Sequence, residues 1–453
     1  MATTVARTDS LVAAARAAQE QWSRRSLGDR AAVCRAAVRV VRRHADAIVE
    51  TVVQETAKPR TEAIANELYA AADHARWLSR NLERVLRDEA LPMPQLQLKT
   101  KRARVVCEPL GVVGAITPWN VPFAIPFGVA AAAVAAGNGV VLKPSEHAPL
   151  SAEWVARVLV EAGAPAGLVQ LAPPDREAGE ALVADPGIAK IFFTGSVAVG
   201  RSVAAAAGAR GCPVVLELGG RDPLLVFADA DLDRAVEGAA FAAFLNAGLA
   251  CVSAERIYVE RPLYGEFRRR LAAFAETLDL APMVLTGERR SAEIVDGPLP
   301  DTELFGPVVS IEPFDGEDDA VRRANDTSFG LGASVWTRDR DRADRVARRL
   351  EAGMVWVNDF GYSFATGQAP WGGTKSSGFG RTGGRHGLYA CVDVKYVDAD
   401  RGLLRPGWWF PYDDRTADAL RNALDVLYAD GLERVRAVWR YRSDLLHLAK
   451  RSR

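Results

Sequence analysis

The order of apolar and polar positions divides the chain into a helical beginning, a central region of alternating strands and helices, and a second helical stretch at the end. From residue 8 to about residue 90, apolar residues recur at helical spacing with Arg and Glu between them, which predicts three amphipathic helices. From residue 95 to 107, polar and apolar residues alternate, as they do in a half-exposed strand or hairpin. We therefore expect a helical scaffold followed by a short β segment.

Between Gly111 and Ser196 the pattern changes to short apolar runs separated by helical segments. The predicted strands are 111–117, 139–144, 168–172 and 188–195, and the predicted helices are about 122–136, about 152–162 and one more after residue 172. Alternation of this kind produces a parallel sheet with helices on both faces. The sequence therefore predicts an α/β fold of the class that nucleotide cofactors favour.

Composition narrows the functional classes. The chain has 453 residues, enough for two or three domains. Lys and Arg together number 57, as do Asp and Glu, so no global field favours nucleic acid. Five cysteines without a CxxC pair indicate neither a disulfide framework nor a zinc site. The first residues do not resemble a signal peptide and no apolar run approaches a membrane span, so a cytoplasmic protein is expected.

Three short motifs resemble phosphate-binding loops. Residues 195–202 nearly match the loop of nucleoside triphosphatases, but Arg201 stands where the phosphate-holding Lys belongs, which excludes that class. Residues 378–383 match GxGxxG, yet they follow a turn-rich stretch, so we interpret this match as a coincidence in a loop. Residues 193–196 predict a strand end that leads into a helix N-terminus, where free N–H groups bind a pyrophosphate.

One cysteine and one glutamate are the candidate catalytic pair. Cys251 lies in a turn of small residues, 246–251, and Glu217 lies upstream of it, followed by Leu218 and two glycines. A thiolate attacks an electrophilic carbon and then carries an acyl group, which water removes when a base activates it. On spacing alone, a buried apolar cysteine and a surface carboxylate would explain the pair at least as well. Other motifs are needed to decide.

Those motifs occur in order along the chain. They are ITPWN at 116–120, KPSE at 143–146, FTGS at 193–196, ELGG at 217–220, the cysteine turn, ELFGP at 303–307, Asn325–Asp326 and PWGG at 370–373. Their order and spacing resemble the aldehyde dehydrogenase superfamily over residues 8 to about 400. The resemblance implies an α/β fold with a Rossmann-type parallel-sheet cofactor domain, an α/β catalytic domain and a small β oligomerisation arm.

The resemblance also implies boundaries for these domains. They are residues 1–95 and 109–218 for the NAD-binding domain, 219–391 for the catalytic domain, 96–108 with 392–400 for the arm, and 401–453 for a C-terminal helical extension. The arm implies a homodimer or a homotetramer.

The resemblance makes Cys251 the nucleophile that attacks an aldehyde carbon and forms a thiohemiacetal. Asn120 and the backbone N–H of Cys251 would hold the oxygen as it becomes negative. Hydride transfer would leave a thioester, and Glu217 would activate the water that releases the acid. Because the thiolate is the reactive form, the site is expected to lower the pKa of Cys251.

The resemblance assigns a further set of residues to the cofactor. They are Ile116, Trp119, Lys143, Ser145, Glu146, Gly179, Gly195, Ser196, Val199, Leu218, Glu303 and Phe305. Lys143 and Glu146 would hold the adenosine ribose, and Glu303 the nicotinamide ribose. The Glu146 carboxylate accepts hydrogen bonds from both ribose hydroxyls and would repel a 2′-phosphate, so NAD is expected rather than NADP. No metal is expected.

The sequence also departs from the family pattern. Leu249 replaces a Gln before the nucleophile, and Pro173 and Pro174 stand where glycine is common in the adenine-side turn. The segment from Cys251 to Glu303 is roughly 45 residues shorter than usual, with the join near 278–283, which is expected to open cavities and leave strand edges unpaired.

Two function hypotheses follow. The first is an NAD-dependent aldehyde dehydrogenase, and the second is an internally deleted, catalytically impaired relative that binds nucleotides or partners. An acyl-CoA-forming relative is less consistent with Glu217, because that chemistry does not need a base to activate water. The candidate pocket walls, which offer no cation and so favour an uncharged aldehyde over an acidic semialdehyde, are Val121, Phe123, Phe127, Val252, Phe364 and Trp371.

The extension is predicted to form helices at about 414–428 and 431–449. The second helix carries several arginines beside apolar residues, and one interpretation is contact with an anionic membrane surface. More often such a helix docks on its own protein with the arginines outward.

Overall fold

The computed structural model describes residues 2–93, 98, 100–282, 287–402 and 405–452, with side chains from residue 7 onward. Parts of two predicted segments, the strand at 95–107 and the join at 278–283, lie outside the described residues. The chain forms two compact units. The first unit consists of Met1–Leu86 with Pro109–Asp393, and the second of Arg87–Glu108 with Val394–Arg453.

The elements are numbered in chain order. The strands are β1 (Glu89–Leu91), β2 (Lys101–Pro109), β3 (Val112–Ile116), β4 (Gly139–Lys143), β5 (Val169–Leu171), β6 (Ile188–Thr194), β7 (Val214–Glu217), β8 (Asp222–Val226), β9 (Ala254–Glu260), β10 (Glu293–Asp296), β11 (Val308–Phe314), β12 (Gly332–Trp336), β13 (Met354–Val357), β14 (Gly378–Phe379) and β15 (Val392–Asp400). The helices are α1 (Ala2–Trp22), α2 (Leu27–Arg43), α3 (Ala45–Thr56), α4 (Arg60–Ala63), α5 (Ala70–Leu86), α6 (Ala124–Ala136), α7 (Pro149–Glu161), α8 (Arg176–Ala184), α9 (Val197–Ala209), α10 (Leu232–Phe244), α11 (Arg261–Ala275), α12 (Gly316–Asn325), α13 (Arg340–Arg349), α14 (Gly384–Tyr389), α15 (Asp414–Tyr428), α16 (Gly431–Arg440) and α17 (Arg442–Arg451).

The helical beginning contains more helices than the three predicted. The chain leaves helical geometry at His44, which ends α2 and precedes α3. A π-helical turn at Ile64–Tyr69 joins α4 to α5. The predicted number was wrong because the apolar spacing continues across both irregularities, so periodicity alone does not mark them.

The predicted alternation of strands and helices in the first sheet is confirmed. Its strand order is β14-β7-β6-β3-β4-β5, with β14 antiparallel to β7 and the other pairs parallel. From β3 the chain moves outward through β4 and β5 and then returns to the other side of β3 as β6 and β7. Ligands of open α/β sheets bind beyond the carboxyl ends of the strands at such a reversal.

The second sheet is parallel throughout, with the strand order β10-β11-β9-β8-β12-β13. The expected opening of its core occurs only in part. Phe267 and Leu271 on α11 and Ile311 on β11 are fully buried, because β10 extends the sheet and α11 covers its face. A polar cavity of about 510 Å³, lined by Arg221 and Leu299 among others, lies beside the shortened region.

The predicted boundary between residues 218 and 219 falls between the two six-stranded sheets, since β7 belongs to the first and β8 to the second. Both sheets lie in the first compact unit. In the second unit, β1, β2 and β15 form a three-stranded sheet. The two segments assigned to the arm therefore lie beside each other, and their role in oligomerisation stays a prediction.

The extension follows the predicted helices with one difference. Helix α15 is confirmed, but the second predicted helix is two helices, because Tyr441 leaves helical geometry between α16 and α17. The apolar side chains of Leu432 and Trp439 on α16 are exposed by 75% and 69%. Helix α16 therefore does not dock this face on its own protein. No helix in the described part of the chain is long and apolar enough to cross a membrane.

Candidate active site

Two cavities of about 310 Å³ each meet at Cys251. The first, named here the aromatic cavity, is lined by rings that include Phe241, Phe360 and Trp371. The second, named here the sheet-end cavity, lies at the carboxyl ends of β6 and β7 in the first sheet. Lining residues common to both cavities are Asn120, Ile125, Thr194, Glu217 and Cys251. The three predicted catalytic residues thus lie at the junction of the two cavities.

The turn that precedes Cys251 has an unusual backbone. Asn246, Ala247 and Gly248 are all left-handed, with φ values of 53°, 55° and 74°. The first two are not glycines, so the surrounding contacts must hold them in this conformation. Asn246 Nδ2 donates to the Leu249 carbonyl at 3.1 Å, and a Cβ at Gly248 would overlap the Gly306 carbonyl. Backbone strain of this kind is typical of functional sites.

The electrostatic environment of Cys251 differs from the prediction. Burial raises the pKa of its thiol, and the nearby carboxyl groups of Glu303, Glu217 and Asp222 raise it further. The expectation that the site lowers the pKa of the Cys251 thiol was therefore wrong. Sequence spacing gave no sign that three carboxyl groups converge on one sulfur. A positively charged ligand group beside the sulfur would have the opposite effect.

Glu217 is the last residue of β7 and is 7% exposed. Its Oε1 accepts a hydrogen bond from the Thr382 hydroxyl, which lies just beyond β14. Burial raises the pKa of Glu217 to about 7, against the opposing effect of the Thr382 hydrogen bonds and of Arg381. A carboxyl group with this pKa is suited to act as a general base near neutral pH. The GxGxxG match at 378–383 thus lies in a segment that begins with β14 and contains Thr382, the hydrogen-bond donor to Glu217. It opens no parallel strand-helix-strand unit, because β14 and β15 lie in different sheets, in agreement with the interpretation of the match as a coincidence.

Asn120 follows β3 and is 4% exposed. Its Nδ2 donates to the Leu249 carbonyl at 3.0 Å, so one amide hydrogen is tied to the cysteine turn. The backbone carbonyl of Asn120 accepts hydrogen bonds from Lys58 Nζ at 2.8 Å and from Asn246 Nδ2 at 3.2 Å. These bonds fix Asn120 beside the sulfur, where its second amide hydrogen remains available to a ligand oxygen.

Sequence reasoning missed the ion pair behind Asn120. Lys58 and Glu67 are both fully buried, and their Nζ and Oε1 atoms lie 2.9 Å apart. Glu67 Oε2 accepts hydrogen bonds from the backbone N–H groups of Phe123 and Ala124 at the start of α6. The signal available in the sequence was a Lys and a Glu inside an amphipathic helical region. The residues that this pair contacts, Asn120, Phe123 and Ala124, lie more than 50 positions away, so the signal could not be interpreted.

The predicted cofactor residues divide into two groups. Trp119, Gly195, Ser196, Leu218, Glu303 and Phe305 line the sheet-end cavity. The structure places the others outside that lining; they are Ile116, Lys143, Ser145, Glu146, Gly179 and Val199. Lys143 nevertheless ends β4 of the same sheet. It lies beside Gly179, because a Cβ added at Gly179 would lie 3.8 Å from the Lys143 side chain. Ser196 caps α9, and its hydroxyl accepts from the Val199 N–H at 3.4 Å. The predicted strand end leading into a helix is therefore confirmed.

Glu303 and Phe305 form the wall of the sheet-end cavity opposite the first sheet. The Gly220 N–H donates to Glu303 Oε1 at 3.3 Å, and a Cβ at Gly219 would overlap the same carboxyl group. Burial and the neighbouring Glu255 raise the pKa of Glu303 to about 7. The ring of Phe305 meets Trp119 edge to face with centroids 5.7 Å apart. A flat ring bound in this cavity would therefore lie between aromatic and carboxyl groups.

The predicted pocket walls are correct for four residues and wrong for two. Val121, Val252, Phe364 and Trp371 line the aromatic cavity. Phe123 and Phe127 do not line it; both are fully buried, with their ring centroids 5.5 Å apart. They belong to the core at α6. The prediction was wrong because a residue close to a motif in sequence can equally be a core residue.

Comparison with known proteins agrees with this geometry. The family model described as "Aldehyde dehydrogenase family" matches residues 1–286 and 280–397, two stretches that join where the chain is shortened. A betaine aldehyde dehydrogenase of Rhizobium leguminosarum bv. trifolii is 36% identical, over 89% of this chain and 91% of its own length.

Solved structures agree as well. A putative aldehyde dehydrogenase from Burkholderia cenocepacia is similar with a TM-score of 0.83 and 33% identity, over 88% of this chain and 93% of that one. A betaine aldehyde dehydrogenase from Staphylococcus aureus in complex with NAD+ is similar with a TM-score of 0.84 and 27% identity, over 90% of both chains. This chain belongs to the aldehyde dehydrogenase family.

Proposed function

We propose that this protein oxidises an aldehyde to its carboxylic acid with NAD as the hydride acceptor, through a thioester on Cys251. The observation that carries the proposal is the meeting of two cavities at one sulfur. A reaction between an aldehyde and a cofactor needs both reactants within reach of the same atom, and Cys251, Glu217 and Asn120 line both cavities.

In this mechanism Cys251, Asn120 and Glu217 each have a separate role. The Cys251 thiol gives its proton to water, and the resulting thiolate attacks the carbonyl carbon of an aldehyde in the aromatic cavity, so the carbonyl oxygen becomes negative. The free amide hydrogen of Asn120 and the Cys251 N–H donate to that oxygen, where removal of such a donor costs about 3 to 4 kcal/mol. Loss of hydride leaves a thioester. Glu217 then takes a proton from water, the hydroxide attacks the thioester carbon, and the Cys251 sulfur leaves as the acid forms.

The residues of the sheet-end cavity fit a dinucleotide. The N-terminus of α9 at Ser196 offers backbone N–H groups to a pyrophosphate, at the reversal of the strand order beside β6. Glu303 would accept from the nicotinamide ribose, and Phe305 with Trp119 would hold the ring. The nicotinamide, when bound, accepts the hydride. Glu146, with Lys143, would bind the adenosine ribose and favour NAD over NADP.

The names of relatives and neighbours support the same proposal. Neighbours with TM-scores from 0.83 to 0.84 include an aldehyde dehydrogenase from Bacillus cereus in an NAD+ complex and the Staphylococcus aureus enzyme. The alternative of an internally deleted, impaired relative is not favoured, because the second sheet keeps six strands and the active-site residues converge.

The test is hydride transfer to NAD, followed at 340 nm with a panel of aldehydes. We expect turnover by the wild-type protein and loss of activity in Cys251→Ala, by about 10⁴-fold or more. Binding of NAD by the variant, measured by calorimetry, should stay within about threefold, because the sulfur makes no contact that the dinucleotide needs. Wild-type protein that binds NAD yet reduces none with any aldehyde would contradict the proposal.

A further inference from the structure

The loop that carries Glu303 and Phe305 has little regular structure of its own. Residues 297–307 connect β10 to β11, which are adjacent and parallel. Such connections usually contain a helix, whose backbone bonds fix its shape. This loop contains none, so its N–H groups must find other partners. The position of Glu303 and Phe305 therefore depends on side chains from elsewhere.

One buried carboxyl group supplies two of these partners. Glu255 Oε1 accepts from the Leu304 N–H at 2.8 Å and from the Phe305 N–H at 3.1 Å. Phe305 has a left-handed φ of 46°, which is uncommon for an aromatic residue and is held by its surroundings. Glu255 is 2% exposed and lies on β9, four positions after Cys251. It thus connects the cysteine segment directly to the loop.

Arg221 holds the other end of the loop. Its Nη2 donates to the Leu299 carbonyl at 3.0 Å, and its Nη1 lies 3.6 Å from Asp301 Oδ1. Arg221 Nε and Glu255 Oε2 lie 3.9 Å apart, and within the described residues neither has a hydrogen-bond partner. Arg221 follows Glu217 by four positions, so the segment of the predicted base also reaches the loop.

The loop in turn touches the cysteine turn. A Cβ at Gly248 would overlap the Gly306 carbonyl, so the two backbones are in close contact. The other face of the loop meets the ELGG segment, where the Gly220 N–H donates to Glu303. The loop is therefore held by both the segment that carries Cys251 and the segment that carries Glu217.

From these contacts we infer that Glu255, seated against Arg221, is a positioning residue that sets where Glu303 and Phe305 stand beside Cys251. It touches neither the aldehyde nor the sulfur, and it acts through the two N–H groups that it binds. The inference rests on the proposed function, in which this loop binds the nicotinamide ribose and ring.

The test compares Glu255→Ala and Glu255→Gln with the wild-type enzyme. The alanine variant leaves two buried N–H groups without a partner, so we expect KM for NAD and the calorimetric Kd for NAD to rise about 10- to 100-fold. The KM for the aldehyde should change less than about twofold, because the aromatic cavity is untouched. The glutamine oxygen can still accept from both N–H groups, so Glu255→Gln should recover most of the affinity and remain about threefold weaker than wild type.

Glu312 offers matched controls. It lies on β11 of the same sheet, is part-buried and pairs with Arg323 of α12 at 3.2 Å, whereas Glu255 binds the N–H groups of the loop. We expect Glu312→Ala and Glu312→Gln to leave KM and Kd for NAD unchanged. If they weaken NAD binding as much as the Glu255 variants do, the effect is general loss of stability and the inference is wrong.

Two further outcomes keep the test decisive. If Glu255→Ala shows no cooperative melting transition, it is not folded, and the Kd for NAD of Glu255→Gln is compared with that of Glu312→Gln instead. Equal Kd values for these two variants would overturn the inference. Equal Kd values for Glu255→Ala and wild type would overturn it too. Wild-type protein that binds no NAD would instead remove the proposed function, and the role of the loop with it.

Discussion

The two cavities beside Cys251 are built by different physical means. The wall of the sheet-end cavity consists of strand ends and a loop that hydrogen bonds and carboxyl groups hold, as between Gly220 and Glu303. The aromatic cavity is closed by packed rings, such as Phe364 against Trp371 with centroids 5.2 Å apart. Hydrogen bonds fix positions to a fraction of an ångström, whereas packed rings fix a volume. We therefore expect the first cavity to select one ligand, and the second to select ligands by size.

The largest effect is expected from replacing Glu217, the proposed base, which lines both cavities. Glu217→Gln keeps the size of the side chain and loses proton abstraction, so steady-state turnover should fall by about 10² to 10⁴. Hydride transfer precedes this step. We therefore expect a burst of about one NADH per active site followed by near-arrest, with an acyl group on Cys251 visible by intact mass.

The burst serves as the internal control for Glu217→Gln. A variant that loses the burst together with its steady state would place Glu217 before hydride transfer. Undiminished turnover would exclude it as the base.

Removing the oxyanion donor should affect the aldehyde and spare the cofactor. Asn120→Ala loses the amide that faces the carbonyl oxygen, and kcat should fall by about 10² to 10³. The backbone carbonyl that Lys58 binds remains in place. Calorimetric Kd for NAD should therefore stay within about threefold of wild type. A fall in NAD affinity as large as the fall in kcat would show that Asn120 shapes both cavities.

The pH dependence should distinguish the two chemical steps. In the proposed mechanism the carboxylate form of Glu217 is the base, and burial raises its pKa to about 7, so deacylation should rise with pH up to that value and level off above it. The slope below pH 7 should approach about tenfold per unit where deacylation limits turnover. In Glu217→Gln this limb should disappear from the steady state. A wild-type profile flat from pH 5.5 to 8 would contradict the assignment.

Substrate charge tests the aromatic cavity alone. Lys58 is the basic residue among its lining residues, and its Nζ is bonded to Glu67 and to the Asn120 carbonyl. No cation of the described lining is therefore available to a second carboxylate. We expect kcat/KM for hexanal or benzaldehyde to exceed that for succinic semialdehyde by about 10-fold or more. A preference for succinic semialdehyde would show that a cation reaches this cavity.

The smallest effect is expected from the C-terminal extension. Because α16 exposes Leu432 and Trp439, truncation after Tyr412 tests the less favoured interpretation of the extension, contact with an anionic membrane surface. We expect dehydrogenase activity to stay within about twofold, since the active-site residues lie in the other compact unit. Co-sedimentation with anionic vesicles that is the same before and after truncation would remove the membrane prediction.

The core of the sheet-end cavity was predictable from the sequence, and the aromatic cavity was predictable only where its walls adjoin the motifs, as at Val121, Val252 and Trp371. Glu217 and Ser196 stand in short motifs whose glycines and strand end indicate where a backbone approaches a ligand, whereas Glu303 was assigned by the family resemblance. The aromatic cavity is assembled from the π-helical turn near Tyr69, the end of α10 and residues 359–365. These segments share no motif, so only the fold reveals that they meet.

Buried charges account for most of what the sequence concealed. Lys58, Glu67, Arg221 and Glu255 are polar residues in ordinary contexts. Lys58 and Glu67 lie nine residues apart, but both also bond to residues 120–124, and Glu255 lies far along the chain from Arg221. Periodicity identifies the face of an element, but it does not say which charge meets which. The same limit explains the wrong direction for the Cys251 pKa, which burial raises most and which the carboxyl groups of Glu303, Glu217 and Asp222 raise further.

The raised pKa of Cys251 has a consequence for how the protein withstands oxidants. Peroxide reacts with thiolates, and a sulfur that stays protonated at neutral pH forms sulfenic acid slowly. All five cysteines share this property, with raised pKa values at Cys34, Cys107, Cys212, Cys251 and Cys391. The chain should therefore keep its free thiols through purification in air, and we expect Cys251 to react with peroxide faster when a bound ligand stabilises its thiolate.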